Sequence, residues 1–174
     1  FYRFVVTLFH TGIRPVELTR LRVGMIDLQN QTIVMPAHIT KGRKKQRVVP
    51  INHHLLKEFE SMDLSQYPED FYLFGRIPTG KRGRNRIEFL PASGMLKRDT
   101  SNRNWNALVK KDLGINVNLY AMKHTGANAK ILAGIDLEAL RDLYGHQSEL
   151  MTKRYATVVK EVNRKMIIDQ SPDF

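Results

Sequence analysis

The chain has 174 residues, 42% of them hydrophobic and none of them cysteine, with 28 Lys and Arg against 17 Asp and Glu for a formal net charge of +11. That length carries one domain with a real core, and the missing cysteines exclude a disulfide framework, a thiolate metal site and a cysteine nucleophile, which fits a reducing compartment. The charge points to a polyanion, nucleic acid ahead of an anionic membrane, and no apolar run approaches the roughly 20 residues that span a bilayer.

Phe1, Phe4, Val5, Leu8 and Phe9 recur at helical spacing, so the chain opens inside an apolar helix that ends near Thr11 and Gly12. A start of this kind, without methionine or signal peptide, reads as a fragment of a longer protein. Pro15 suits the first position of a second helix bearing Val16, Leu18 and Leu21, and this sets Arg14 beside backbone N–H groups that favour anions. The period then changes. Residues 26–28, 31–35 and 47–51 are short β-like runs separated by turn chemistry, which predicts a small three-stranded antiparallel sheet. Its last hairpin carries Lys41, Arg43, Lys44, Lys45 and Arg47, a density of cations that is either a solvated turn or a finger reaching a phosphate backbone.

A helix is predicted over 52–62, capped by Asn52, with Leu55, Leu56 and Phe59 facing inward. Phe71, Tyr72, Leu73 and Phe74 form a brief apolar run. Residues 75–99 show little period and many Gly, Pro, Arg and Lys, so they read as a long basic loop, mobile or ordered only on a partner. Helical patterns return over 100–113, 118–132 and 137–144. Gly145 breaks the last of these, and Ser148 with Glu149 reads as a new helix start. A short helix over 148–153 would return His146 and Tyr155 to one pocket. Val158, Val159, Val162, Met166 and Ile167 make a final amphipathic helix, and 169–174 a frayed tail. The chain holds no internal repeat, P-loop, dinucleotide fingerprint or His-Glu-x-x-His helix. Its six histidines lack partners at ligand spacing, so no metal site is predicted.

Four separated pieces occur in the order of one family: Thr11-Gly12-Ile13-Arg14-Pro15-Val16-Glu17-Leu18; the hairpin from Thr40-Lys41-Gly42 to Arg47-Val48-Val49-Pro50-Ile51; Met122-Lys123-His124-Thr125-Gly126-Ala127; and Tyr144-Gly145-His146 on to Tyr155. Together they resemble the catalytic domain of tyrosine recombinases, the phage-integrase family, over nearly the whole chain. The resemblance implies a mainly α fold with a small three-stranded antiparallel sheet (α+β). It also implies an N-terminal DNA-binding domain ahead of a single catalytic domain over 1–174. The implied function is a site-specific recombinase or integrase that cleaves and rejoins DNA through a 3′-phosphotyrosyl intermediate, without metal or cofactor. Double-stranded DNA would be the partner, a tetrameric homo-oligomeric synapse the working assembly, and the bacterial cytoplasm around the nucleoid the location.

Carried over, Tyr155 would be the nucleophile, Arg14 a phosphate clamp, Lys41 the general acid toward the leaving 5′-oxygen and His146 a donor to a non-bridging oxygen. Glu17 would be a supporting carboxylate, Arg43, Lys44 and Arg47 DNA-binding or supporting cations, and His124 structural. Such a constellation suits in-line displacement at phosphorus, where fixed cations meet the charge on the oxygens and help a tyrosine of pKa about 10 act as a phenolate. The family's His-x-x-Arg is here Tyr120-Ala121-Met122-Lys123. Lysine keeps the charge and loses the planar fork, while Tyr120 keeps one donor. A type IB topoisomerase-like enzyme and a weakened or inactive DNA-binding module of the same fold are the competing readings. The apolar face of the last helix, 156–174 with its tail, has two possible uses: packing in cis or docking on a neighbouring protomer.

Overall fold

The computed structural model describes residues 1–40, 42, 45–77, 87–145 and 156–170. Helix α1 (Tyr2–Thr11) buries Phe4, Thr7, Leu8 and Thr11 on one face. It stops where predicted, at Gly12, whose left-handed backbone (φ 62°) turns its N–H back onto the Leu8 carbonyl. The four-residue α2 (Pro15–Leu18) follows.

Strands β1 (Ile26–Asp27), β2 (Thr32–Met35) and β3 (Arg47–Pro50) form the predicted antiparallel sheet in that order, with Ile33 opposite Val49 and Met35 opposite Arg47. Strand alternation buries Val49 and exposes Val48, so Arg47, two residues from Val49, shares the inward face. Helix α3 (His53–Glu60) begins at the predicted cap, where the Asn52 side chain accepts from the Leu55 N–H at 3.0 Å.

The described residues of the stretch 75–99 do not form a simple loop. A second antiparallel sheet places β4 (Tyr72–Ile77) between β5 (Ile87–Ala92) and β6 (Gly94–Met95). Its alternation is broken by register shifts between Tyr72 and Arg76, by Phe89 at φ 67° and by Pro91 within β5. Tertiary contact decides it instead: the Phe89 ring lies 5.0 Å from Phe1 and 5.4 Å from Phe4, and Phe4 lies 5.3 Å from Phe74.

Helix α4 (Thr100–Trp105) runs on into a π-helical stretch, Asn106–Asp112. Trp105 is pinned by donating from Nε1 to the Val117 carbonyl at 2.8 Å. Helix α5 (Ala121–Leu132) starts three residues later than predicted, because Asn118 spends its carbonyl on a turn to the Ala121 N–H. Helix α6 (Leu137–Tyr144) has its predicted bounds. Asp136 caps it through the Glu138 and Ala139 N–H groups, and Gly145 closes it at φ 60°.

The main core lies between α1, α3 and the two sheets. A second cluster, Ala127, Ile131, Leu140 and Tyr144, is covered by Val158, Val159 and Val162 of α7 (Ala156–Gln170), so this part of the last helix packs in cis. The two clusters are joined where α5 crosses α1. A side chain on Gly126 would fall on the Phe9 carbonyl, within 2.9 Å of its carbon. The mainly α architecture with a small antiparallel sheet stands, with one further sheet. Among the described residues no helix is long and apolar enough to cross a membrane.

Candidate active site

The turn between α1 and α2 is fixed from both sides. Thr11 Oγ1 donates to the Thr7 carbonyl and accepts from the Ile13 N–H at 3.1 Å. Beyond it, Glu17 reaches back across the first turn of α2, where Oε2 accepts from the Arg14 backbone N–H at 3.0 Å and Oε1 from Arg14 Nη1 at 2.9 Å. The carboxylate is 3% exposed, so the pair acts in a poorly solvated setting and fixes one edge of the Arg14 fork. The Arg14 side chain stays 21% exposed at the start of α2.

Arg47 is turned inward, with its side chain 11% exposed. Its Nη2 donates to the Leu143 carbonyl at 2.7 Å and, more weakly, toward the Thr11 carbonyl at 3.4 Å, while Nη1 stands 3.9 Å from Glu17 Oε2. Burial holds the guanidinium below its ordinary pKa, and Glu17 works against that shift. These contacts are all with the protein's own carbonyls and carboxylate. Arg47 brackets the ends of α1 and α6 against Glu17.

Lys123, on the first turn of α5, is 1% exposed. Its ammonium sits 4.7 Å from the centroid of the Tyr144 ring, and the Tyr144 hydroxyl donates to the Lys123 carbonyl at 3.0 Å. The same ring covers Gly12, where an added Cβ would lie 2.6 Å from Tyr144 Cδ1. Tyr144 thus touches both the lysine and the turn that carries Arg14, and it ends the helix that leads to Gly145 and His146. Tyr120 stands at the N-cap position of α5 and packs edge-on against His124 at 5.4 Å. Both line an open groove of about 470 Å³ with Lys110, Asn116, Val117, Asn118 and Ala121.

Two titratable groups behind this cluster are shifted. Lys130 donates to the Phe9 and Gly126 carbonyls, both at 3.2 Å, and burial lowers its pKa to about 8. His10 is lowered to about 4 by burial first, then by Lys130, His54 and His53. Among the described residues no group of three or more His, Cys, Asp or Glu is placed to hold a metal ion.

The structure therefore brings together Arg14, Glu17, Arg47 and Lys123 around Gly12 and Tyr144, and sets Tyr120 at the rim. The remaining predicted site residues, Lys41, Arg43, Lys44, His146 and Tyr155, lie outside the described residues. Sequence reasoning missed Tyr144 as part of the site, and it placed Arg47 among the supporting cations without its inward direction. Strand alternation at Val49 and the Leu140–Tyr144 spacing on α6 were the signals available for them.

The chain is similar to known proteins in sequence and in fold. The tyrosine recombinase XerA of Thermococcus kodakarensis is 28% identical over 163 residues, covering 92% of this chain and 52% of its own. The tyrosine recombinase XerC of Bacillus pumilus is 29% identical over 170 residues, covering 95% and 52%. The chain thus spans about half the length of the curated relatives it matches. In fold it is similar to the crystal structure of XerA recombinase, with TM-score 0.70, 24% identity and coverage of 99% of this chain and 58% of that one. It is also similar to the Tn1549 transposon integrase in complex with circular intermediate DNA, with TM-score 0.64, 22% identity and coverage of 94% and 59%. The phage integrase family model matches residues 2–161, most of the chain, and the chain belongs to that family.

Proposed function

We propose that this domain is the catalytic part of a site-specific DNA recombinase that cuts and rejoins strands through a 3′-phosphotyrosyl link. Tyr155, as phenolate, attacks the phosphorus in line; the P–O bond to the 5′-oxygen breaks, and Lys41 supplies the proton that oxygen takes up. Attack by the 5′-hydroxyl of a partner strand then reverses the exchange and frees Tyr155, so the phosphoester bond is conserved. Arg14 and Lys123 hold the phosphate charge, His146 adds a hydrogen bond, and Tyr120 supports from the rim. Arg43 and Lys44 meet the DNA backbone beside Lys41.

The observation that carries this reading is the Arg47 bracket. By joining the Thr11 and Leu143 carbonyls to Glu17, it brings the helix start that bears Arg14 alongside the helix end that leads to His146. The named relatives, tyrosine recombinases, and the DNA in the complex of the Tn1549 integrase support the same substrate class. A tetrameric synapse on double-stranded DNA, in the compartment that holds the nucleoid, is the assembly in which two such exchanges would be paired.

The test is a nicked suicide duplex carrying the protein's own recombination site, incubated with the full-length protein and resolved on a denaturing gel. A covalent protein–DNA adduct that Tyr155→Phe abolishes is the expected result. No adduct would sink the enzyme reading and leave a DNA-binding module. Joining of two differently labelled duplexes marks a recombinase, whereas relaxation of supercoils without joining would mark a topoisomerase.

A further inference from the structure

We propose that Tyr144 is the positioning residue for Lys123: its ring is the platform that holds the buried ammonium in one place beside the turn that carries Arg14, standing in for the self-orienting fork that an arginine would bring. The inference rests on the recombinase reading and deepens it.

A guanidinium presents a rigid planar fork, and two parallel hydrogen bonds to phosphate fix its direction. An ammonium is a compact charge on four rotatable carbons, with no preferred plane. A lysine at a phosphate clamp therefore has its aim set by what surrounds its stem and head. Here the surroundings are specific. The Lys123 ammonium lies 4.7 Å from the Tyr144 ring centroid, and both side chains are buried, where attraction between a cation and a ring face is strongest. The ring itself is held in place. Its hydroxyl donates to the Lys123 carbonyl at 3.0 Å, so ring and lysine backbone keep a fixed relation, and its body rests on Gly12, which has no side chain to displace it. Gly12 is two residues from Arg14, and Tyr144 two from His146. One ring thus registers the lysine against the two neighbouring segments of the proposed phosphate site.

An ordinary core tyrosine would satisfy its hydroxyl and fill space, and a leucine could do much of the second. The feature that exceeds packing is the ammonium over the face, and this is what the experiment isolates. The rate of adduct formation at saturating suicide duplex is measured in the full-length protein for wild type, Tyr144→Phe, Tyr144→Leu, Lys123→Arg and the Tyr144→Leu, Lys123→Arg double variant. A misplacement of about 1 Å at a catalytic group costs up to ~100-fold, so Tyr144→Leu is expected to slow cleavage ~10- to 100-fold while DNA affinity changes by less than about threefold. Tyr144→Phe, which keeps the ring face, should recover the rate to within about tenfold of wild type. In the Lys123→Arg background, Tyr144→Leu should cost less than about threefold, because a guanidinium orients itself. Equal fold-losses in the two backgrounds would overturn the positioning role and leave Tyr144 a packing residue. Absence of any Tyr155-dependent adduct in wild type would instead sink the recombinase reading.

A second measurement needs no activity and decides the geometry by itself. In the nuclear magnetic resonance spectrum, the Lys123 ε-methylene protons, assigned by their loss in Lys123→Met, should be shifted upfield by the ring current and return to the ordinary lysine position in Tyr144→Leu. Unshifted protons in wild type would overturn the proposal.

Discussion

Arg47 on β3 donates from Nη2 to the Leu143 carbonyl at 2.7 Å, joining a strand to the end of a helix 96 positions away. The bond is charge-assisted, and the other end of the guanidinium stands 3.9 Å from Glu17 Oε2, so loss of the side chain would leave a buried carboxylate short of one cation and a helix end short of one donor. Arg47→Met should lower unfolding free energy by about 2–4 kcal/mol in urea titration. It should also reduce cleavage further than the stability loss explains, through Arg14. A variant as stable as wild type would show that the bracket is incidental.

Gly12 combines two demands, a left-handed backbone at φ 62° and a neighbouring ring that leaves no room for a Cβ. Gly134 has the first without the second, with φ 85° and open space around it. Gly134→Ala should therefore cost about 1–2 kcal/mol and Gly12→Ala about 2–5 kcal/mol, the excess being overpacking against Tyr144. Equal costs from chemical denaturation would mean that the ring gives way freely.

Lys130 and His10 make opposite ends of the pH range informative. Both have folded pKa values below their ordinary ones, about 8 against 10.5 and about 4 against 6.5, so in each window the unfolded chain binds more protons than the folded one. Stability contributed by each group therefore rises with pH across its window and is lost as pH falls through it. Lys130→Met should remove a rise between about pH 8 and 10.5, and His10→Gln one between about pH 4 and 6.5, each read as the difference from wild type in thermal unfolding. A difference curve that is flat in its window would refute the corresponding burial.

The last helix divides along its length. Val158, Val159 and Val162 pack on the Ile131 and Leu140 cluster, while Met166 and Ile168 are exposed. Val162→Asp should destabilise the monomer by about 1–3 kcal/mol, and Ile168→Asp by less than about 0.5 kcal/mol. If the exposed end serves a neighbouring protomer, Ile168→Asp should still impair synapsis in a gel-shift assay with paired sites. Unchanged synapsis would confine α7 to its cis role.

Much of the frame was legible locally. Gly12, Asn52 and Gly145 each mark a helix boundary with a residue whose backbone or side chain suits that place, and the β1–β3 runs sit between turns. The second sheet was hidden because Phe89 and Pro91 break the period of two, while the strand pairs with β4 and is packed by contact with Phe1 and Phe4, more than eighty residues earlier. The site divides in the same way. Arg14 and Glu17 interact within one turn and could be read from their spacing of three. The pairing of Lys123 with Tyr144 and of Tyr144 with Gly12 depends on three segments meeting in space, which no local pattern encodes.

The crossing of α5 over α1 has an evolutionary consequence. At position 126 the atom that forbids a side chain is the Phe9 backbone oxygen, not part of the phenyl ring. Substituting residue 9 cannot remove a carbonyl, so no compensating partner exists for a larger residue at 126 while the two helices keep their separation. A randomised library selected for activity should return glycine at 126 whatever it returns at 9, and the pair should show no covariation.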